Sequence, residues 1–243
     1  MWNKALFLTI LCGLLSFQVS AQILKKVIGN DQYKTVEYKV NDFHKLKMLN
    51  GFNVIHKISA DSAGYISIYA EENILDLIEM QSKKGELKLN FSTLRTPEYG
   101  VILIRVYSSD LTQVSNESSG VIELQSFTEG AELDFSQTGS GQIKAENTRS
   151  GLLIANVTGN GDILVKGETG MGQYAINGSG EIRAIETKAQ EVRATITGGG
   201  DISCYAEKEL KTVLTGSGKI VYDGPAKIVS RTIGSGQVVP VKK

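Results

Sequence analysis

The sequence predicts an all-β protein folded as a single-stranded parallel β-helix, or β-solenoid, with coils of 18–21 residues and an irregular, β-rich N-terminal half. A Gly-x-Gly phrase, or its variant Ser-Ser-Gly, recurs along the second half of the chain. Its closing glycines stand at positions 120, 141, 161, 180, 200, 218 and 236, at intervals of 21, 20, 19, 20, 18 and 18 residues. Because a fixed repeat of this length is typical of stacked structural units, we interpret each phrase as the corner of one coil.

Two columns of apolar side chains accompany the corners. The residues two places after the closing glycines are Ile122, Ile143, Ile163, Ile182, Ile202, Ile220 and Val238. A second column, two places further on, contains Leu124, Ala145, Val165, Ala184, Cys204, Tyr222 and Pro240. Since side chains two residues apart lie on the same face of a strand, both columns are predicted to point into the core.

Strand-like alternation also precedes each corner, as in Val192, Ala194 and Ile196. Glycine suits a sharp corner between two strands because it adopts positive φ at little cost. Coils of this length hold two to three short strands, which favours a parallel β-helix. A β-propeller is disfavoured because its blades need roughly 40 residues, and an antiparallel sandwich remains a minor alternative.

The domain organisation follows from the extent of the repeat. Residues 1–21 are predicted to be a signal peptide, and residues 22–243 a single β-solenoid domain. Within it, residues 22–117 form an irregular half, and residues 118–243 the regular repeat half. The irregular half is strand-rich, and we expect it to be continuous with the solenoid and to cover its end.

The N-terminal segment predicts export. Lys4 is its only charge, an apolar run from Ala5 to Phe17 follows, and Val19-Ser20-Ala21 resembles a cleavage site. The apolar run has 13 residues, whereas a membrane-spanning helix needs roughly 20. We therefore expect cleavage after Ala21, export of the mature protein and no membrane span after cleavage.

Composition narrows the partners and the chemistry. The chain has 26 Lys and Arg against 26 Asp and Glu, so no basic excess predicts nucleic-acid binding. After cleavage Cys204 is the only cysteine, which excludes an internal disulfide. Its place in the inward column predicts a buried, unreactive thiol.

The chain resembles the family called putative auto-transporter adhesin, head GIN domain, found in envelopes of Bacteroidetes-type bacteria. The resemblance rests on Gly51-Phe52-Asn53-Val54, on the strand from Val101 to Val114, on Ser118-Ser119-Gly120 and on the serial Gly-Ser-Gly corners. It covers nearly all of the mature chain. It implies a β-helical fold and an exported location, in the periplasm or at the cell surface or outer envelope of a Gram-negative bacterium. It carries no catalytic residues.

No residue is assigned a catalytic, cofactor-binding or metal-binding role from the sequence. His44 and His56 both fall in predicted strands, neither is near a Gly-x-Ser-x-Gly motif, and no His-x-x-x-His or paired cysteines predict zinc. We expect surface or turn roles for both histidines. No cofactor is predicted.

Asp162, Glu181 and Asp201 follow the closing glycine in three successive coils and are predicted to form a column of carboxylates. Calcium binding by this column is one hypothesis, and a solvated acidic strip is favoured over it. Gln142, Lys219 and Gln237 occupy the same column, and the calcium-binding β-roll has a different period.

The predicted function is that of an exported, non-catalytic envelope protein, adhesin-like or structural, that binds an unknown envelope glycan or protein. Tyr205 and Tyr107 are the best candidates for stacking against a sugar, although both also suit packing. The alternative is a polysaccharide lyase or hydrolase, because parallel β-helices often carry such enzymes and fold alone does not decide. The oligomeric state is left open.

Overall fold

The computed structural model describes residues 26–92 and 96–242, so the predicted signal peptide lies outside the described residues. The elements in chain order are β1 (Tyr33–Lys39), β2 (Lys45–Met48), β3 (Asn53–Ile58), β4 (Tyr65–Glu71), α1 (Glu72–Leu75), β5 (Ile78–Lys83), β6 (Glu86–Phe91), β7 (Leu103–Ser108), β8 (Gln113–Asn116), β9 (Val121–Leu124), β10 (Thr128–Gly139), β11 (Gln142–Gly159), β12 (Asp162–Gly178), β13 (Glu181–Gly198), β14 (Asp201–Gly216), β15 (Lys219–Asp223), β16 (Lys227–Gly234) and β17 (Gln237–Pro240). They form one curled sheet arranged as a β-solenoid of about six turns. The predicted fold class is confirmed.

The coils of the second half stack in register. Strands β10 to β14 pair in parallel in chain order, and β14 then pairs in parallel with both β15 and β16. The first glycines of the corners lie side by side in these ladders: Gly139, Gly159, Gly178, Gly198, Gly216 and Gly234. The corner is therefore repeated from coil to coil at the strand spacing of about 4.8 Å.

Each full coil has two further bends besides the glycine corner. In β11, the strand pairing with β12 is interrupted between Ala145 and Thr148, and Gly151 has no partner in this ladder. These interruptions divide the coil into three straight segments, at the upper end of the predicted two to three.

The predicted inward columns form the core of this half. Ile122, Ile143, Ile163, Ile182, Ile202 and Ile220 are all buried, and so are Leu124 through Cys204 in the second column. Only the last members of the two columns are partly or fully exposed: Val238, Tyr222 and Pro240. Val238 and Pro240 lie on β17, which pairs with β15 alone among the described strands.

The two corner glycines are required for different reasons. The first adopts positive φ, as at Gly159 with φ of 105°, a conformation that side-chain-bearing residues avoid. The closing glycine is required by close packing instead. A Cβ atom on Gly180 would lie 2.2 Å from the carbonyl oxygen of Gly161 in the neighbouring coil.

The N-terminal half stacks out of chain order and mixes parallel with antiparallel pairing. The coil formed by β2 and β3 lies between the β6–β7 coil and the β8–β9 coil, in parallel with both. Strand β4 then pairs antiparallel with β7, β1 pairs antiparallel with β4, and β5 pairs antiparallel with β6. These antiparallel strands occupy the backbone hydrogen-bonding groups that this end of the sheet would otherwise leave open.

The boundary between an irregular and a regular half remains a prediction. Within the described residues, the only α-helix is the single turn α1, and no helix there is long and apolar enough to cross a membrane.

Candidate functional site: a tyrosine-bearing outer face

The solenoid presents one continuous outer face that runs through eleven strands. Its central row consists of outward-pointing residues paired from strand to strand: Glu37, Ser67, Arg105, Ile55, Glu123, Lys144, Leu164, Arg183, Ser203, Val221 and Val239. At a strand spacing of about 4.8 Å, this row is about 48 Å long. The face is long enough to contact an extended ligand over many residues.

Four tyrosines lie at the N-terminal end of this face, on the outer side of β1, β4 and β7; we call the surface formed by Tyr33, Tyr65, Tyr69 and Tyr107 the tyrosine face. The rings of Tyr33 and Tyr69 stack, with centroids 5.3 Å apart and planes 17° apart. The rings of Tyr65 and Tyr107 contact each other at a tilt, with centroids 5.8 Å apart. Two aromatic pairs thus lie on one side of the sheet, with Tyr33 and Tyr69 exposed and Tyr65 and Tyr107 half-buried.

The pairs are placed by strand register. Tyr65 and Tyr69 share a face of β4 because they are four residues apart, about 13 Å along the strand. The antiparallel pairing of β4 with β7 places Tyr107 beside Tyr65, and the pairing with β1 places Tyr33 diagonally across from Tyr69.

Charged groups lie between and beside the aromatic pairs. Arg105 is exposed on β7, opposite Ser67 of β4 and Ile55 of β3. Lys57 is exposed opposite Tyr107. Among the described residues, neither cation forms a salt bridge within 4 Å. Both are therefore available to an anionic ligand.

Two further charges belong to the strand β1. Glu37 lies near the Tyr65 hydroxyl and raises the pKa of Tyr65. The Lys39 ammonium group donates to the carbonyl oxygen of Ala63. Among the described residues, this end of the face carries the cations Arg105, Lys57 and Lys39 and the carboxylates Glu37 and Glu71. The buried Glu71 carboxylate accepts the backbone N–H groups of Asp31 and Gly100.

The sequence identified only part of this surface. Tyr107 was among the predicted stacking residues, and it lies in the tyrosine face. Tyr205, the other candidate, is partly buried on β14, six strand spacings or about 29 Å away. Tyr33, Tyr65 and Tyr69 were missed, although the spacing of Tyr65 and Tyr69 was a readable signal of a shared face.

The predicted acidic column exists as a geometric feature. Asp162, Glu181 and Asp201 are direct neighbours across β12, β13 and β14. The Arg183 guanidinium lies 3.4 Å from the Asp162 carboxylate and 3.5 Å from the Glu181 carboxylate. Lys219 lies directly opposite Asp201 in the strand register of β14 and β15. In the part of the chain that is described, no three His, Cys, Asp or Glu side chains are grouped to hold a metal ion.

His56 does not have the surface or turn role expected from the sequence. It points inward from β3 and is fully buried, with its Nε2 atom 2.7 Å from the Ser108 hydroxyl oxygen. Because the Ser108 hydroxyl donates to the carbonyl oxygen of Asp110, His56 is the donor in this pair. Burial lowers the pKa of His56 to about 4. Its alternation with Val54 on one strand face was the overlooked signal.

The His56–Ser108 pair is not a nucleophile with its base. Both side chains have no solvent exposure, so a substrate has no access to the hydroxyl group. The nearby Asp42 carboxylate bonds to Ser109 rather than to the imidazole. The pair instead satisfies the Ser108 hydroxyl and the Nε2 atom of His56 inside the core, while the buried Nδ1 atom of His56 has no hydrogen-bond partner among the described residues.

His44 is exposed at a bend that precedes β2, so its predicted strand position is wrong and its surface role is consistent with the structure. Cys204 is fully buried in the inward column, and burial raises the pKa of its thiol to about 12. Its register matches the prediction.

Comparison with known proteins bears on the identity of the chain. Three solved structures share its fold: a putative lipid binding protein from Parabacteroides distasonis (26% identity, TM-score 0.75, covering 90% of this chain and 100% of that one), a putative adhesin from Parabacteroides merdae (24%, 0.77, 89% and 99%) and a putative adhesin from Bacteroides fragilis (24%, 0.77, 88% and 100%). No curated protein sequence matches the chain. The model of the family described as putative auto-transporter adhesin, head GIN domain, matches residues 42–226. Since that match covers well over half of the chain, the protein belongs to this family.

Proposed function

We propose that this protein is an exported, non-catalytic binding module of the bacterial cell envelope, and that the long outer face of the solenoid is its binding surface. The observation that carries the proposal is the tyrosine face. Two aromatic pairs lie there on the outer side of one sheet, beside the exposed cations Arg105 and Lys57, which form no salt bridge with a described residue. Aromatic side chains with a polar atom are typical of binding surfaces because they contribute large contact areas at a small cost in conformational entropy. The names of the related structures, adhesins and a lipid binding protein, support a binding role.

Export and location are tested on intact cells that produce the protein. An external protease is added, and the protein is followed beside a periplasmic control. Cleavage of this protein while the control survives supports a surface location and an adhesive role. Survival until the envelope is broken supports a periplasmic binding module. An N-terminus at Gln22 in the mature protein would support cleavage of residues 1–21.

Binding is tested with the purified mature protein against envelope material from the same cells, separated into polysaccharide, peptidoglycan, lipid and protein fractions. Saturable co-sedimentation with one fraction supports the proposal, and its absence with all four contradicts it. Each polysaccharide fraction is also assayed for released reducing ends. Sustained release that depends on the protein would replace the binding role with the lyase or hydrolase alternative.

A further inference from the structure

We propose that the tyrosine face binds a polysaccharide that carries carboxylate groups, with sugar rings stacked on the two tyrosine pairs and carboxylates bound by the cations beside them. The inference rests on the proposed binding function and gives it a ligand class. It is carried by the geometry of the rings and by the charge between them.

The ring arrangement suits a chain of sugars better than a compact ligand. The side chains of Tyr33 and Tyr69 are each 37% exposed, although their rings stack on each other. The second pair, formed by Tyr65 and Tyr107, lies about 13 Å away along β4. The C–H groups on the face of a pyranose ring pack well against an aromatic ring, because the negative ring face attracts their partial positive charge. Two such platforms on one rigid sheet are spaced for separate units of one polymer.

The polar groups between the platforms suit hydroxyl and carboxylate groups. Ser67 lies midway between Tyr65 and Tyr69 on β4, with Glu37 opposite it on β1 and Arg105 opposite it on β7. A guanidinium group binds a carboxylate through two parallel hydrogen bonds, which favours Arg105 as the main anchor of the charge.

The balance of charge selects an acidic polymer over a neutral one. Arg105 and Lys57 form no salt bridge with any described residue, and Lys39 adds a third positive charge at the edge of the face. Glu37 is the carboxylate between the two pairs, and it lies near the Tyr65 hydroxyl, whose pKa it raises. The other carboxylate, Glu71 opposite Tyr33, is buried and accepts the backbone N–H groups of Asp31 and Gly100. The next carboxylate along the row, Glu123, lies beyond Ile55 and accepts the Gln125 amide. Three cations would neutralise few phosphates, fewer than the roughly six to ten that give a nucleic-acid complex its strong salt dependence.

The experiment uses the full mature protein and isothermal titration calorimetry. The probes are oligomers of polygalacturonate, alginate and hyaluronan. Fully methyl-esterified polygalacturonate is the uncharged control polysaccharide, and polydeoxythymidylate represents nucleic acids. We expect binding to at least one carboxylated polymer, weaker binding to the methyl ester, and a loss of affinity as salt is raised.

Three variants separate the tyrosine face from the rest of the solenoid. Tyr69→Ala and Tyr107→Ala should each reduce affinity by about tenfold, because each removes one stacking platform. Arg105→Gln should reduce affinity for the carboxylated polymer by about threefold to fivefold and leave affinity for the methyl ester unchanged. Tyr205→Ala is the matched control, because it removes a tyrosine about 29 Å away, and it should bind like the wild type. Circular dichroism and thermal melting confirm that each variant is folded.

The outcomes distinguish this inference from the proposed function. If no carboxylated polymer binds, if the methyl ester binds equally well, if polydeoxythymidylate binds more tightly, or if the tyrosine and arginine variants bind like wild type, the inference is wrong. The proposed function then still stands if an envelope fraction binds elsewhere on the protein. The proposed function is wrong only if none of the four envelope fractions binds the protein.

Discussion

Acidification should destabilise this protein through one buried histidine. His56 is fully buried in the core, where it donates a hydrogen bond to Ser108. Burial holds its pKa at about 4 in the folded protein, whereas an exposed histidine in the unfolded chain has a pKa of about 6.5. Between these two values, the unfolded chain binds a proton that the folded protein excludes. The contribution of His56 to stability is therefore complete only well above pH 6.5, and it falls as the pH drops toward 4.

The size of the effect follows from the shift in pKa. One pKa unit corresponds to about 1.4 kcal/mol, so the whole shift costs about 3 kcal/mol, of which about 2 kcal/mol is lost between pH 6.5 and pH 5. A loss of 2 kcal/mol is a substantial part of the 5–15 kcal/mol that typically separates folded from unfolded domains. Above pH 5 the carboxylates contribute less, because most of them titrate near pH 4.

The assay is urea unfolding of the mature protein at pH 7.0, 6.5, 6.0, 5.5 and 5.0, followed by far-ultraviolet circular dichroism. The only tryptophan, Trp2, lies in the predicted signal peptide, so tryptophan fluorescence does not serve. His56→Leu removes the titrating group while it fills most of the same volume. It should shift the absolute stability and abolish most of the loss between pH 6.5 and pH 5.

His44→Gln is the matched control, because it replaces the other histidine of the mature chain at an exposed bend. It should retain the acid sensitivity of the wild type. Equal pH dependence in the wild type and in His56→Leu, or a wild-type stability that stays constant from pH 6.5 to pH 5, would refute the assignment of the acid sensitivity to His56.

Three further predictions follow from the corner, the thiol and the acidic column. Gly200→Ala should destabilise the protein by about 2–4 kcal/mol, because its Cβ would lie 2.5 Å from the carbonyl oxygen of Gly180. Gly199→Ala is the control in the same corner: its Cβ would have no neighbour within 3.4 Å, so it should change stability by less than about 0.5 kcal/mol. Equal effects of the two variants in urea unfolding would contradict the packing argument. Cys204 should resist a thiol reagent in the native protein and react fully in urea, because it is buried and its thiol pKa is raised to about 12; rapid native labelling would contradict its inward register. Millimolar calcium should raise the melting temperature by less than about 1 °C, because Arg183 already pairs with two carboxylates of the acidic column. A rise above about 5 °C would instead establish a cation site.

The regular half was predictable because its signals are local and repeated. Each corner phrase lies within three residues, and each inward column is set by a spacing of two along the same strand. The burial of Ile163 and Cys204 therefore followed once the corners had fixed the register. The expected surface role of His56 is wrong because the rule for isolated histidines ignores strand alternation, which places His56 inward beside Val54.

The candidate site was less predictable because its parts come from distant segments. Tyr33 and Tyr107 are 74 residues apart in the chain, and they reach one face only because β1 and β7 pair with opposite edges of β4. No local pattern specifies that pairing. It also depends on the β2–β3 coil lying between two later coils, a position that chain order does not suggest.

The sequence by itself determined the solenoid, its coil length, the identity of the corner residues and the inward columns, because stacking in register repeats the same short-range geometry in every coil. Tertiary structure alone decided the order of the N-terminal coils, the antiparallel strands at that end and the assembly of the tyrosine face. Those features depend on which sheet edges remain open and which distant strand satisfies them, and that competition is settled only when the whole sheet has formed.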